Sequence, residues 1–530
     1  MNQTILNTKK QVQFRTTRFV LLIIFILFAL IPLISMFLNI TLDNFQTVIF
    51  SEGFGEVLSN SLFSASISTL LSATLAYLLA VLTERTNLAH KNFFRIVFIL
   101  PMLIPSISHG MGLVILLGNN GILTNLFNFH SGIYGLKGII LGSVLYSFPV
   151  AYLMFSDIMR YENSSPYEAA EVLGIPRIKQ FKDIAFPYIK KPLISILFGL
   201  FTLIITDYGV PLMVGGKYRT LSIVMYQEVI GQLNFGKGAV YGLFLLLPAI
   251  VAFALDLKIK KDNNQSYITK QFSNNGNGNK ISFTICTIIS IIIFLPLLAF
   301  AAIAFFKKYP VDLNLTLNNF IGAINLNAGK YLLNSLLIAI VTALIGVSIA
   351  FITAYLSSRN SNHKTSKILH LLALSTAAIP GLVLGLSYVL TFKNSFIYGT
   401  FIILIIVNMI HFISSPYMMM YNSLAKINNN LEVVGEIMGI NRLRMIKDVF
   451  IPMCKSTLLE MFSFYFVNCM MTISAVSFLS NAVNRPVSLL INQFEAQMQI
   501  EYAAVVSLMI FIANILVKYL IKKIQSSSKY

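Results

Sequence analysis

The sequence predicts an all-α polytopic membrane protein built from two tandem six-helix modules, with about twelve membrane-spanning helices. Three observations lead there. Of 530 residues, 56% are hydrophobic and only 11% are charged, against about 25% charged in an ordinary soluble domain. Twelve apolar runs reach the length needed to cross a bilayer, which is about 20 residues. A polar pattern with a Gly and a terminal Pro occurs at Gly174 and Pro187 and again, half a chain later, at Gly439 and Pro452.

The apolar runs lie near 19–39, 61–82, 96–117, 138–158, 192–214 and 238–256 in the first half. In the second half they lie near 281–303, 333–356, 369–391, 398–421, 456–478 and 499–517. Lys9, Lys10, Arg15 and Arg18 precede the first run, as in a secretory signal. Its length, the missing small-residue cleavage site and the spans that follow favour a retained helix. The net charge of +19 is unevenly placed. With the N-terminus inside, 30 of the 39 Lys and Arg fall in inside segments and 9 in outside segments. That bias sets both termini in the cytoplasm and makes the basic surplus a topology signal rather than a nucleic-acid patch. Cys286, Cys454 and Cys469 have no CxxC spacing and read as small buried hydrophobes.

The modules are expected at 1–257 and 281–530, joined by a cytoplasmic linker at 258–280 that is rich in Asn and Gly. Six spans per half return the second copy in the orientation of the first, a parallel repeat. Both polar patterns then face the cytoplasm between the fourth and fifth spans. Fainter echoes support the duplication. Ile104-Pro105 with Gly110 matches Ile379-Pro380 with Gly385, and Ser147-Phe148-Pro149 echoes Ser414-Ser415-Pro416. Pro105 and Pro380 fit ordinary helix packing or kinked helices beside a pathway that opens.

The polar pattern has its own chemistry. In the first copy (165–187), Ser165 suits an N-cap, Pro166 the first helical position and Glu168 the third, a capping box. Ala169 and Ala170 leave the backbone approachable, Gly174 stops the helix, and a second short amphipathic piece runs to Pro187. In the second copy (430–452), Asn430 suits the cap and Glu432 the first turn. Val433 stands where Glu168 stands, so the box is lost. Glu436, Gly439 and Pro452 keep the frame. Val172, Leu173, Ile437 and Met438 are candidate anchors for a partner's groove.

These loops resemble the EAA loop of the permeases of binding-protein-dependent ABC importers, whose pattern is Glu-Ala-Ala, three residues, Gly, nine residues, Ile-x-Leu-Pro. The first copy matches at Glu168, Ala169, Ala170, Gly174, Ile184 and Pro187. The second matches at Gly439 and Pro452 and lacks the Glu-Ala-Ala. The resemblance covers both halves and is greatest to the fused-permease subfamily for ferric iron, thiamine and aminoalkylphosphonates. It implies two tandem MetI-like permease modules in a bacterial inner membrane. It implies docking of the loops (Glu168, Ala169, Ala170, Gly174, Pro187, Glu432, Glu436, Gly439, Pro452) on two ABC ATPase subunits, and a periplasmic or lipid-anchored binding protein on the other face. Ferric iron is the first cargo it suggests, with 2-aminoethylphosphonate or thiamine as alternatives.

The rest narrows the class. No stretch fits Gly-x4-Gly-Lys-[Ser/Thr], GxSxG or HExxH, so the chain is expected to be no enzyme and to leave ATP hydrolysis to another subunit. The rival from another class is an ion-coupled carrier, which needs ionisable groups at mid-membrane. Asp207, toward the outer end of the fifth span, fits an interfacial packing residue or a pathway residue. Its counterpart region, Ser474 to Phe478, has no acid. His109 fits a satisfied core histidine or a gate residue. The other histidines show no ligand spacing, so no bound metal and no cofactor are expected.

Overall fold

The computed structural model describes residues 15–128, 132–160, 162–259, 280–359, 363–428 and 430–527. Of the linker expected at 258–280, residues 260–279 lie outside the described residues. Among the described residues, nine helices are long and apolar enough to span a membrane, and up to eleven if two bent pairs each count as one span. Apart from one two-stranded hairpin, the described fold is all-α.

The difference from twelve continuous spans, kinked at most, has local causes. The third and ninth expected spans are each broken at the Ile-Pro step. A residue before proline is driven out of the helical region. Ile104 is accordingly extended at φ −120° and ψ 138°, and Ile379 at φ −93° and ψ 111°. A new helix starts after each proline, Ser106–Leu117 in the first half and Gly381–Phe392 in the second. In the second half the pieces Lys364–Ala378 and Gly381–Phe392 meet at 109°. These are breaks, sharper than the kinks expected. The tenth span also bends, by 52° between Phe401–Phe412 and Ser414–Ala425, whereas its counterpart Leu136–Arg160 carries Pro149 without a break. The eleventh is the 17-residue Lys455–Met471 helix.

Each half is organised on one long helix, Phe54–Glu84 or Ala328–Arg359. Their buried stripes are small residues at helical spacing: Ser61, Ala65, Ser72, Ala76 and Ala80 in one, Ser335, Ala339, Ala343, Gly346 and Ala350 in the other. Small side chains let helices approach closely and compensate for the absence of a hydrophobic drive in lipid. Leu136–Arg160 packs along the first stripe, joined by a 2.7 Å bond between the Ser72 and Ser147 hydroxyls. At Gly346 a Cβ would meet the Tyr465 ring at 2.6 Å.

The halves exchange their first helices. Ile31–Leu38 packs on Gly381–Phe392 of the second half, and Lys280–Ile303 packs on Ser106–Leu117 of the first. Tyr388 Oη donates to the Phe28 carbonyl across the first contact at 2.6 Å. At the other, a Cβ on Gly112 would lie 2.5 Å from the Pro296 carbonyl oxygen. The antiparallel hairpin Phe306–Lys308 with Asp312–Leu315, unforeseen in the sequence, follows the seventh span.

Candidate functional site

The two repeated loops fold alike from unlike residues. Their helices are Ser165–Val172 and Asn430–Ile437. Neither Ser165 nor Asn430 supplies the cap. Instead Asn163 Oδ1 accepts from the Ser165 backbone N–H at 3.2 Å, and Asn428 Oδ1 accepts from that of Asn430 at 2.9 Å. Those asparagines occupy equivalent positions in the two copies, a signal not singled out in the sequence. Glu168, expected to close a capping box with Ser165, accepts instead from the Ser164 hydroxyl at 2.9 Å. The helix starts one residue earlier than the box requires, which moves the serine side chain into reach.

The stops match their glycines. Gly174 has φ +67° and Gly439 φ +69°, left-handed values that only glycine adopts without penalty. The Ile175 N–H reaches the Ala170 carbonyl at 2.9 Å, and the Ile440 N–H reaches Gly435 at 2.8 Å. Each is the long bond of a Schellman motif. Beyond the glycine the chain enters a helical turn, Arg177–Gln180 or Arg442–Met445, and then a π-helical turn, Phe181–Ala185 or Ile446–Phe450. Pro187 and Pro452 do not end a helix, as the sequence suggested. Pro187 follows its π turn inside the long helix Phe186–Ile205, whereas Pro452 lies in the short piece Ile451–Met453, which breaks at Cys454 before Lys455–Met471 begins. A proline has no N–H for the usual i−4 bond, and the wider turn just before it absorbs the lost register.

Ala170 is buried and Ala169 exposed. The last turns present large apolar side chains that no described residue covers: Val172 is 88% and Leu173 75% exposed, and Ile437 is 81% and Met438 67%. The side chain of Glu436 lies outside the described residues.

Both loop helices are tied to the end of the long helix of their own half. Arg85 caps the C-terminus of Phe54–Glu84 and pairs with Glu162 at 2.5 Å, with both side chains largely buried. Tyr167 Oη donates to the other Glu162 oxygen at 2.6 Å, and its ring lies 5.1 Å under the Arg85 guanidinium. Burial, followed by the bond to Glu162, pushes the Tyr167 phenol above its usual range. In the second half Arg359, at the end of Ala328–Arg359, approaches Glu432 as a 2.8 Å ion pair. It donates to the carbonyls of Ile427 and Asn428 at 2.8 and 3.2 Å. Glu432 therefore has a partner that the sequence pattern did not supply.

The pathway candidates do not form one cluster. Asp207 joins the break after Pro105, accepting from Ser106 Oγ at 2.6 Å and from the Val210 N–H at 3.0 Å. His109 is buried, with Nδ1 3.3 Å from the Pro105 carbonyl and its ring beside Tyr146. The break at Pro380 lies in the other half, where Gly381 faces Ser474 and His411. A seam the sequence did not single out crosses between the halves. Tyr208 Oη bonds Ser477 Oγ at 2.9 Å, Tyr208 stacks on Tyr226 at 4.7 Å, and Asn492 Nδ2 donates to Tyr226 Oη at 3.1 Å.

Known proteins share this plan. The family described as the binding-protein-dependent transport system inner membrane component matches twice, over residues 72–261 and 346–526. The ferric transport system permease protein FbpB of Actinobacillus pleuropneumoniae is 26% identical over 500 residues, 88% of this chain and 71% of that protein. The Fe(3+)-transport system permease protein FbpB 2 of Haemophilus influenzae is 23% identical over 90% of this chain and 91% of its own length. The thiamine transport system permease protein ThiP of Haemophilus influenzae is 25% identical over 38% of each.

Proposed function

We propose a specific role for this chain, which belongs to the family of binding-protein-dependent transport system inner membrane components: it is a fused permease that moves ferric iron inward when two ABC ATPase subunits close beneath it. The two-module permease of an ABC importer is the class itself. Cargo, docking and orientation are the reading built on it.

The observation that carries the docking is the pair of loop helices. Each ends in a Schellman stop and leaves two large apolar side chains that no described residue covers, at equivalent positions of the two copies. Apolar anchors on a short helix suit a groove on a partner. Two ATPase subunits, one per loop, would favour one arrangement of the permease through differential contacts there. The bias of Lys and Arg toward the inside segments supports placing the loops and both termini in the cytoplasm, with a binding protein delivering cargo on the opposite side. Ferric iron is supported by the breadth of the similarity to ferric permeases, against 38% coverage for the thiamine protein.

The test takes the chain with its ATPase. Val172→Asp, Leu173→Asp, Ile437→Asp and Met438→Asp together should leave the protein in the membrane and remove the ATPase from co-purification, because all four side chains are already exposed. Retention of the ATPase would refute the docking. For cargo, uptake of radioactive ferric citrate, thiamine and 2-aminoethylphosphonate is compared in cells with and without the chain, and dependence of thiamine or phosphonate uptake alone would reassign it.

A further inference from the structure

We infer that Arg85 and Arg359 are positioning residues that fasten each loop helix to the long helix of its half, holding it in the shape a partner must find. Their transmitting role rests on the docking reading above.

The two arginines keep one contact with different partners. Arg85 caps Phe54–Glu84 and Arg359 ends Ala328–Arg359, matched places at the same end of the two long helices. In the first half the acid is Glu162, before the loop helix, and position 167 within the helix is Tyr. In the second half the equivalent positions, set by aligning Gly174 with Gly439, are Ile427 and Glu432. There the acid has moved into the helix, and Arg359 reaches the Ile427 backbone carbonyl where its counterpart meets a carboxylate. An aromatic ring completes each contact, Tyr167 against Arg85 and Phe450 5.2 Å from Arg359. Sequence identity at the acid has been lost while the arginine contact is kept. A chance surface pair would not need both changes together. These pairs are also largely buried, where one charge without the other is costly.

The fastening acts on order. The loop helices have only eight residues each, too few to be stable in water alone. A helix populated for only part of the time binds a partner more weakly by that fraction. The arginine removes this penalty and links the helix to a rod that runs through the module.

Glu162→Ile alone takes away the acid; Glu162→Ile with Tyr167→Glu installs the arrangement of the second half. The reciprocal variant is Ile427→Glu with Glu432→Tyr. Hydrogen exchange of residues 165–172 and affinity for the ATPase subunit are read on the full-length protein in detergent. Glu162→Ile should raise exchange in that helix and weaken ATPase binding by about tenfold, the size of a typical coupling. The double variant should recover both to within about threefold. Exchange in 54–84 should stay unchanged, which separates loss of position from unfolding. The inference falls if Glu162→Ile leaves exchange and affinity as they were, or if the double variant is no better than the single. The docking reading fails separately, if Val172→Asp, Leu173→Asp, Ile437→Asp and Met438→Asp together keep full ATPase affinity while the exchange results stand.

Discussion

Ser106 and Gly209 meet where the broken third span of the first half touches the segment after its fifth, and their sizes make a sharp prediction. A Cβ on Gly209 would lie 2.4 Å from Ser106 Oγ, 2.9 Å from the Ile107 nitrogen and 3.1 Å from Ile473 Cδ1 of the other half. The serine could rotate, but the backbone nitrogen moves only if Ser106–Leu117 moves. Gly209→Ser should therefore destabilise the protein by about 1–3 kcal/mol, the usual cost of overpacking, a factor of roughly 5 to 150 in the folded population. In the second half the sizes are reversed: Gly381 stands at the place of Ser106 and Ser474 at the place of Gly209, with a Cβ on Gly381 only 2.2 Å from Ser474 Oγ. Adding Ser106→Gly to Gly209→Ser copies that solution. Ser106→Gly alone forfeits the 2.6 Å bond to Asp207, about 0.5–1.5 kcal/mol for a typical hydrogen bond. In the double variant the new side chain at position 209 returns a hydroxyl to the same space. The double variant should then be more stable than the sum of the singles by about 1 kcal/mol or more, as for residues in contact. Cys286, Cys454 and Cys469 are buried, so their reaction with a fluorogenic thiol reagent during heating reports unfolding. A Gly209→Ser protein as stable as the parent, or a double variant that merely adds the two losses, would refute the reasoning.

Other outcomes follow from the same geometry. Among the described residues nothing lies within 4 Å of a Cβ on Gly174, so Gly174→Ala meets only the left-handed backbone penalty of about 1–2 kcal/mol, and Gly174→Asn should cost less. Gly174→Arg adds bulk to the exposed rim and should weaken ATPase co-purification with membrane insertion intact; if Asn and Arg weaken it equally, blocked docking is not the cause. Gly112→Ala drives a methyl into the Pro296 carbonyl at 2.5 Å and should loosen the exchanged helix Lys280–Ile303, lowering the midpoint in the same thiol assay.

The overall plan was legible because its causes are local or repeat. Length and hydropathy locate the spans, and Gly174 and Gly439 announce their own backbone conformation. The Ile-Pro steps were visible, but their severity depends on what receives the two ends. At Pro149 the helix continues, and at Pro105 it stops. The exchange of first helices was not legible, since an apolar run carries no address for its partner. The loops were found through Glu168, Gly174 and Pro187, and their true caps, Asn163 and Asn428, passed unnoticed because several residues nearby could serve. Arg85 and Arg359 read as topology charges. Only the fold shows that each is turned inward on its loop.

The two halves preserve contacts by moving the groups that make them. The acid for the long-helix arginine sits before the loop helix in one half and inside it in the other. The hydroxyl at the Ile-Pro break stands on opposite sides of its contact. A comparison of residues at matched positions sees Glu162 against Ile427 and Ser106 against Gly381, and scores each as divergence. Taken as pairs, each is one contact kept while the residue that supplies the acid or the hydroxyl changes. A carboxylate buried without its arginine, or two side chains in a space for one, is strongly unfavourable, so the first change at either site selects for the second. The missing Glu-Ala-Ala of the second loop fits the same pattern. That loop has lost the letters of the first, yet its cap, its left-handed stop, its π turn and its arginine are all in place. If these intramolecular contacts govern how the loop is presented, the second loop should couple as firmly as the first, and Glu432→Ala should impair ATPase binding as much as Glu162→Ala. A second loop indifferent to Glu432 would mean that its retained shape is only structural.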